Sequence, residues 1–154
     1  MERAEHEELW RVTDQAYHLY DNLRDVARGY VKTDERHIRA MVLARRCADR
    51  ISRREYKLRC AHNSIQPVST TQVLAWIREH ISDYLHFEEI IPAEVAGDVC
   101  VAFNVWDEHG SIPAWVWGLC ERQAPRAAQK IIKQRSFFVE KPIRYEPDGD
   151  VLFA

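Results

Sequence analysis

Apolar residues recur at helical spacing through most of the chain and predict a series of amphipathic helices. The first runs from about Glu5 to Tyr30, with Gly29 near its end. Its apolar positions are Leu9, Val12, Ala16, Leu19, Leu23, Val26 and Tyr30. The second follows Thr33, whose hydroxyl is suited to an N-cap, and continues to Arg59. Its apolar positions are Ile38, Met41, Ala44, Ala48, Ile51 and Leu58. Both patterns indicate a helix with one side in a core and the other in water.

The same spacing predicts four further helices, of which two are short. The third covers Thr71 to Glu88, and the fourth covers Ala93 to His109 between a first-turn proline at Pro92 and a stop at Gly110. The two short helices cover Ile112 to Gln123 and Arg126 to Gln134.

The pattern changes to extended chain from Phe137 onward. A turn at Pro147, Asp148 and Gly149 separates two apolar stretches, which is typical of a small β-hairpin. The sequence therefore predicts a mainly α protein: a compact bundle of about four longer and two short helices with a small carboxyl-terminal β-hairpin. We expect one domain over residues 1–154, with a helical core over 1–123 and a short basic helix plus hairpin over 124–154.

Composition agrees with a soluble globular protein. The 154 residues are 46% hydrophobic and 30% charged, which suits one domain of ordinary size. The amino terminus is charged rather than signal-like, and apolar stretches are short, so the expected location is the cytoplasm, or the host cytoplasm if the protein is viral. Cys47, Cys60, Cys100 and Cys120 have no close pairing, which favours free thiols in a reducing compartment.

The net charge of −2 conceals alternating blocks of opposite sign. Residues 32–59 hold 10 bases and 4 acids, whereas residues 60–121 hold 1 base and 9 acids. Residues 122–144 are basic again, with 7 bases and 1 acid. The blocks either neutralise one another within the fold or present surfaces of opposite sign to partners.

The strongest functional signal is a stripe of cations on one side of the second helix. Its members are Arg39, Arg46, Arg50, Arg53 and Lys57. A second basic face is formed by Arg126, Lys130 and Lys133 on the last short helix. Clustered cations on a rigid helix bind phosphate or an acidic protein surface. The alternative for both sets is a solvated face whose long side chains cover the core.

No pattern in the sequence indicates catalysis. Only five glycines are present and none forms a phosphate loop, while no serine or cysteine occupies a strand-turn-helix elbow. Glu79, Asp83 and His86 share one helix face, but the Glu-x-x-His pairs of a metal-binding bundle are missing. Cys47, Cys60 and His62 lack the spacing of a structural zinc site. We therefore expect no enzyme activity, no metal and no cofactor.

Two classes of binding protein are left. Trp115 and Trp117 are two positions apart, so a helix directs them to different sides, and one of them is a candidate interface aromatic. The acidic segment 60–121 and the basic second helix also give a rationale for homo-oligomers. The favoured hypothesis is a binding or regulatory accessory protein, of the kind that phages and mobile elements encode, acting through charged helical surfaces on a protein partner, a larger assembly or a second copy.

The alternative is a DNA- or RNA-binding protein that uses the basic helix 36–59. The segment after Ile112 loosely resembles a helix-turn-helix with a wing, in which Arg126 to Gln134 is the recognition helix. The two hypotheses differ in whether the cations meet carboxylate or phosphate. Neither involves a membrane.

Overall fold

The computed structural model describes residues 1–84, 91–107 and 110–124, together with the backbone of 144–145 and 151–152. The protein is mainly helical, which confirms that part of the predicted fold. The described residues divide into two compact units, one over Met1–Gln66 and one that begins at Pro67. Two compact units can belong to one domain. The single domain and the compact bundle therefore stay predictions.

The first unit is a pair of long helices, α1 (Arg3–Arg28) and α2 (Glu35–His62). They are antiparallel, because residues late in α1 contact residues early in α2. His37 Nδ1 lies 2.8 Å from the carbonyl oxygen of Ala27, while Arg54 Nη1 donates to the carbonyl oxygen of Val12 at 3.3 Å. These two contacts place residues whose numbers sum to about 65 at similar levels along the pair. A third contact, between the ends of the longer side chains of Tyr17 and Glu55, joins residues whose numbers sum to 72.

The start of α2 is fixed by Asp34 rather than by Thr33. The Asp34 side chain accepts a hydrogen bond from the backbone N–H of Arg36 at 2.8 Å, and its second oxygen lies 2.9 Å from Arg36 Nη2. The Arg36 guanidinium and N–H lower the pKa of the Asp34 carboxyl. A carboxylate cap is favoured here over a hydroxyl because it also meets the positive end of the helix dipole.

The buried side of α1 differs from the predicted apolar seam. Its buried residues are Thr13, Tyr20 and Ala27, while Leu19 and Val26 are 50% and 52% exposed. The opposing line on α2 begins with small buried residues, Ala40, Ala44, Cys47 and Ala48, and continues with the larger Ile51 and Leu58. The apolar seam of α1 is therefore wider than the surface that one narrow partner helix covers.

The second unit contains α3 (Thr70–His80), a 3-10 turn (Ile81–Tyr84), α4 (Ile91–Phe103) and α5 (Ala114–Gln123). Its core is apolar, and its fully buried residues include Val73, Ile77, Val95, Ala96, Val99, Cys100, Val105 and Val116. None of the helices in the described ranges is long and apolar enough to span a bilayer.

Helix α4 ends six residues before the predicted stop at His109. Asn104 adopts a left-handed backbone with φ of 53°, and the next N–H, on Val105, bonds back to the carbonyl of Cys100 at 3.1 Å. This six-to-one bond is the Schellman arrangement that closes a helix, and asparagine tolerates it better than most residues. Val105 is buried beyond the helix end, whereas Trp106, the last apolar position of the predicted helix, is 41% exposed.

A capping box holds the start of α3. Ser69 Oγ accepts from the N–H of Gln72 at 3.1 Å, and Gln72 Oε1 accepts from the N–H of Ser69 at 2.8 Å. We expect Ser69→Ala to lower the free energy of unfolding by about 1 kcal/mol, the usual cost of losing such a cap. Urea unfolding followed by far-UV circular dichroism measures this. Thr71→Ala, at an exposed position two residues further along in the first turn, is the control and should change stability little. Equal effects of the two changes would contradict the capping assignment.

Two short strands follow near the carboxyl end. Strands β1 (Arg144–Tyr145) and β2 (Val151–Leu152) pair antiparallel, with Arg144 opposite Leu152 and Tyr145 opposite Val151. The turn between them and the short helix Arg126–Gln134 lie outside the described residues. The complete hairpin and that sixth helix therefore stay predictions.

Candidate protein-binding surface on α2

Four of the five predicted stripe cations are exposed on α2. They are Arg39, Arg46, Arg50 and Lys57, called the basic edge below. At about 100° per residue, these four positions fall within an arc of about 40°. With a rise of about 1.5 Å per residue, they extend over about 27 Å of the helix. The structure thus brings these predicted residues together on one surface.

Most of the basic edge is not neutralised locally. Arg39 Nη2 lies 3.4 Å from Glu35 Oε1, a contact between two exposed side chains. Among the described residues, Arg46, Arg50 and Lys57 have no hydrogen bond or ion pair. Exposed cations without a local carboxylate remain available to an outside anion.

Arg53 lies on the same face of α2 as the basic edge, but its side chain is partly buried. Its side chain is half-buried, with the guanidinium carbon 5.4 Å from the centre of the Tyr56 ring. Burial is the main cause that lowers the pKa of Arg53. A guanidinium packed over an aromatic ring is stabilised by cation–π attraction. Arg53 is therefore held against Tyr56 and is less accessible to a partner than the four residues of the basic edge.

The contacts between α1 and α2 show which side of the pair carries the basic edge. Arg54 reaches the carbonyl of Val12 on one side, whereas the hydroxyl of Tyr17 donates to Glu55 on the other. Arg50 lies about 40° from Arg54 on the helix, so the basic edge is on the side of Val12.

Exposed apolar residues lie on the same side as the basic edge. Leu19 and Val26 follow Val12 at seven-residue steps along α1, and Leu43 is about 20° from the direction of Arg54 on α2. All three are large and exposed: Leu19, Val26 and Leu43. We call them the apolar strip. Sequence reasoning missed it because Leu19 and Val26 fitted the core seam; the width of that seam was the available signal.

The two candidate interface tryptophans have different surroundings in α5. Trp115 is 3% exposed and belongs to the core of the second unit, so it offers no surface to a partner in the folded unit. Trp117 is half-buried, and its indole Nε1 is buried without an acceptor among the described residues. The two-residue spacing separated them as expected.

Arg126, Lys130 and Lys133 lie outside the described residues, together with the helix-turn-helix resemblance that uses them. Within the described ranges, no group of three His, Cys, Asp or Glu side chains is placed to hold a metal ion. Glu79 and Asp83 are exposed, and His86 is outside those ranges.

The four cysteines are free and buried. Burial is the main cause that raises the pKa of the Cys100 and Cys120 thiols to about 12. Both therefore stay protonated at neutral pH, and a protonated thiol is a poor nucleophile.

The described residues thus define a mainly α-helical protein whose most accessible chemistry is a basic helix surface beside exposed apolar side chains. No protein-family model, curated protein or solved structure matches the chain.

Proposed function

We propose that this protein is a non-enzymatic binding or regulatory protein whose basic edge binds an acidic surface of a protein partner. The observation that carries the proposal is the combination on one side of α1 and α2: exposed cations without local partners next to the apolar strip. Protein interfaces combine these two chemistries, because apolar contacts exclude water and arginine pairs bidentately with carboxylates.

The nucleic-acid alternative is favoured by one feature, the length of the basic edge. Cations spread along a rigid helix can contact several phosphates of a backbone at once. Such a contact gains nothing from the exposed leucine and valine side chains beside it, since nonspecific binding to phosphate is electrostatic. We therefore place the protein partner first.

A charge-reversal variant tests the proposal. The triple variant Arg46→Glu, Arg50→Glu, Lys57→Glu, called the basic-reversed variant, removes the cations that lack local partners. The probe is a fluorescein-labelled amphipathic peptide with Glu and Leu at helical spacing, followed by anisotropy. We expect the affinity to fall roughly tenfold or more, because exposed ion pairs contribute about 0.2–1 kcal/mol each and three are converted to repulsion.

The matched control carries the same change in net charge at exposed cations elsewhere. It is Lys32→Glu, Arg78→Glu, Arg122→Glu, and it should bind the peptide as the wild type does. Retained affinity in a folded basic-reversed variant would overturn the proposal. Labelled duplex and single-stranded oligonucleotides are titrated in parallel over about 50–200 mM salt; tighter binding to them, with a steep loss at high salt, would establish the nucleic-acid alternative instead.

A further inference from the structure

We propose that the protein partner is a second copy of this chain, joined side by side so that an acidic edge on α1 of one copy meets the basic edge on α2 of the next. This rests on the proposed function, that the basic edge binds a protein surface. Helix α1 carries an acidic edge that lies opposite the basic edge and matches it along the helix axis.

The acidic edge is a line of exposed carboxylates on α1. Its members are Glu7, Asp14, Asp21 and Asp25. At about 100° per residue, they fall within an arc of about 40° on the helix. Asp21 has no hydrogen bond or ion pair among the described residues. The others have only exposed neighbours on their own helix, for example Arg28 at 2.9 Å from Asp25.

The acidic edge and the basic edge are on opposite sides of the helix pair. Tyr17 marks one side through its bond to Glu55, and Asp14 and Asp21 lie about 60° and 40° from Tyr17, turned away from α2. Val12 and Arg54 mark the other side, which carries the basic edge. One copy therefore presents both halves of a complementary contact in opposite directions.

The two edges also match in length and level. Glu7 to Asp25 and Lys57 to Arg39 both span 18 residues, or about 27 Å of helix. Because residues whose numbers sum to about 65 are level, neighbouring copies in the same orientation bring carboxylates and cations to similar heights. The expected pairs are Glu7 with Lys57, Asp14 with Arg50, Asp21 with Arg46, and Asp25 with Arg39. Each pair differs in level by only about one or two residues, about 3 Å, within the reach of a long cationic side chain.

A second copy placed by a two-fold axis does not fit these edges. It would bring cations against cations or carboxylates against carboxylates, and like charges repel. The complementary contact is head to tail, and repetition of such a contact gives a ring or an open filament. The apolar strip flanks the basic edge and would lose water in the same contact.

The test is charge-swap complementation measured by sedimentation velocity. Wild-type protein should form oligomers at about 50 mM salt and dissociate as salt rises to about 500 mM, where the Debye length is only a few ångströms. The basic-reversed variant should be monomeric. The acid-reversed variant, Asp14→Lys, Asp21→Lys, Asp25→Lys, should also be monomeric. An equimolar mixture of the two variants should associate again, because each then offers the charge that the other lacks.

Far-UV circular dichroism establishes that each variant is folded. If a charge reversal unfolds the chain, neutral versions with Asn at the acidic positions and Gln at the basic positions replace it, and each should weaken wild-type association. The Lys32→Glu, Arg78→Glu, Arg122→Glu variant should associate as the wild type does.

A wild-type monomer at low salt, or a mixture that stays monomeric, would overturn the self-association inference. The acidic peptide separates that result from failure of the proposed function, because the acid-reversed variant keeps its basic edge. If this variant binds the peptide while wild-type copies do not associate, only the inference fails. If the basic-reversed variant binds the peptide as tightly as the wild type does, the proposed function fails as well.

Discussion

Replacing Trp115 by alanine should lower the free energy of unfolding by about 3–5 kcal/mol. Trp115 is 3% exposed, and its neighbours on α5 include the buried Val116 and Leu119. Truncation removes a large buried side chain and leaves a cavity that close-packed neighbours fill only in part. Urea unfolding, with far-UV circular dichroism as the signal, measures the loss.

Trp117→Ala is the matched comparison two positions away on the same helix. Trp117 is half-buried, and its Nε1 has no acceptor among the described residues, so its removal costs less apolar burial and breaks no hydrogen bond there. We expect a loss clearly smaller than for Trp115. Equal losses, or a loss below about 1 kcal/mol for Trp115→Ala, would contradict the core position of that residue.

The same tryptophan pair shows which structural features the sequence predicts and which it does not. Two-residue spacing on a helix predicts that the side chains point to different sides, and the structure agrees. Spacing does not tell which side is the core, because that depends on where α5 meets its neighbours. The choice of Trp115 or Trp117 as an interface residue therefore needed tertiary information.

Helix ends were less predictable than helices. The apolar period located α1, α2, α3, α4 and α5, because burial of one face repeats at the helical period. It extended α4 beyond Phe103, since Trp106 continues the apolar pattern although Asn104 has already turned the chain into a left-handed conformation. Periodicity measures where apolar side chains fall and does not detect a single residue with positive φ.

The binding surface, too, could be predicted from the sequence only in part. The basic edge follows from residue spacing on one helix, and four of its five predicted members are exposed. Arg53 differs because its side chain is half-buried, with the guanidinium over the Tyr56 ring. The acidic edge on α1 also follows from the spacing of residues on one helix. Its position relative to the basic edge depends on which residues of α1 and α2 lie at the same height along the helix pair. That relation comes from contacts such as Arg54 with Val12 and His37 with Ala27.

The second prediction of a large loss in stability concerns the small buried residues on α2. Ala44 is 1% exposed and lies one turn from the buried Ala40 and Ala48, on the side that packs against α1. Ala44→Asp places a carboxylate there without a partner, which should lower the free energy of unfolding by about 3 kcal/mol or more. The same urea titration measures it.

Val42→Asp is the control, because it introduces the same residue into the same helix at an exposed position. It should cost little, since the new carboxylate stays in water and lies four residues before Arg46, a favourable spacing for an ion pair. The Ala44→Asp penalty should also shrink as the pH falls toward about 4. Burial raises the pKa of an unpaired carboxyl in the folded state, so protonation relieves the desolvation cost at low pH. Equal losses for the two variants, or a penalty independent of pH, would show that Ala44 does not face a closed contact between α1 and α2.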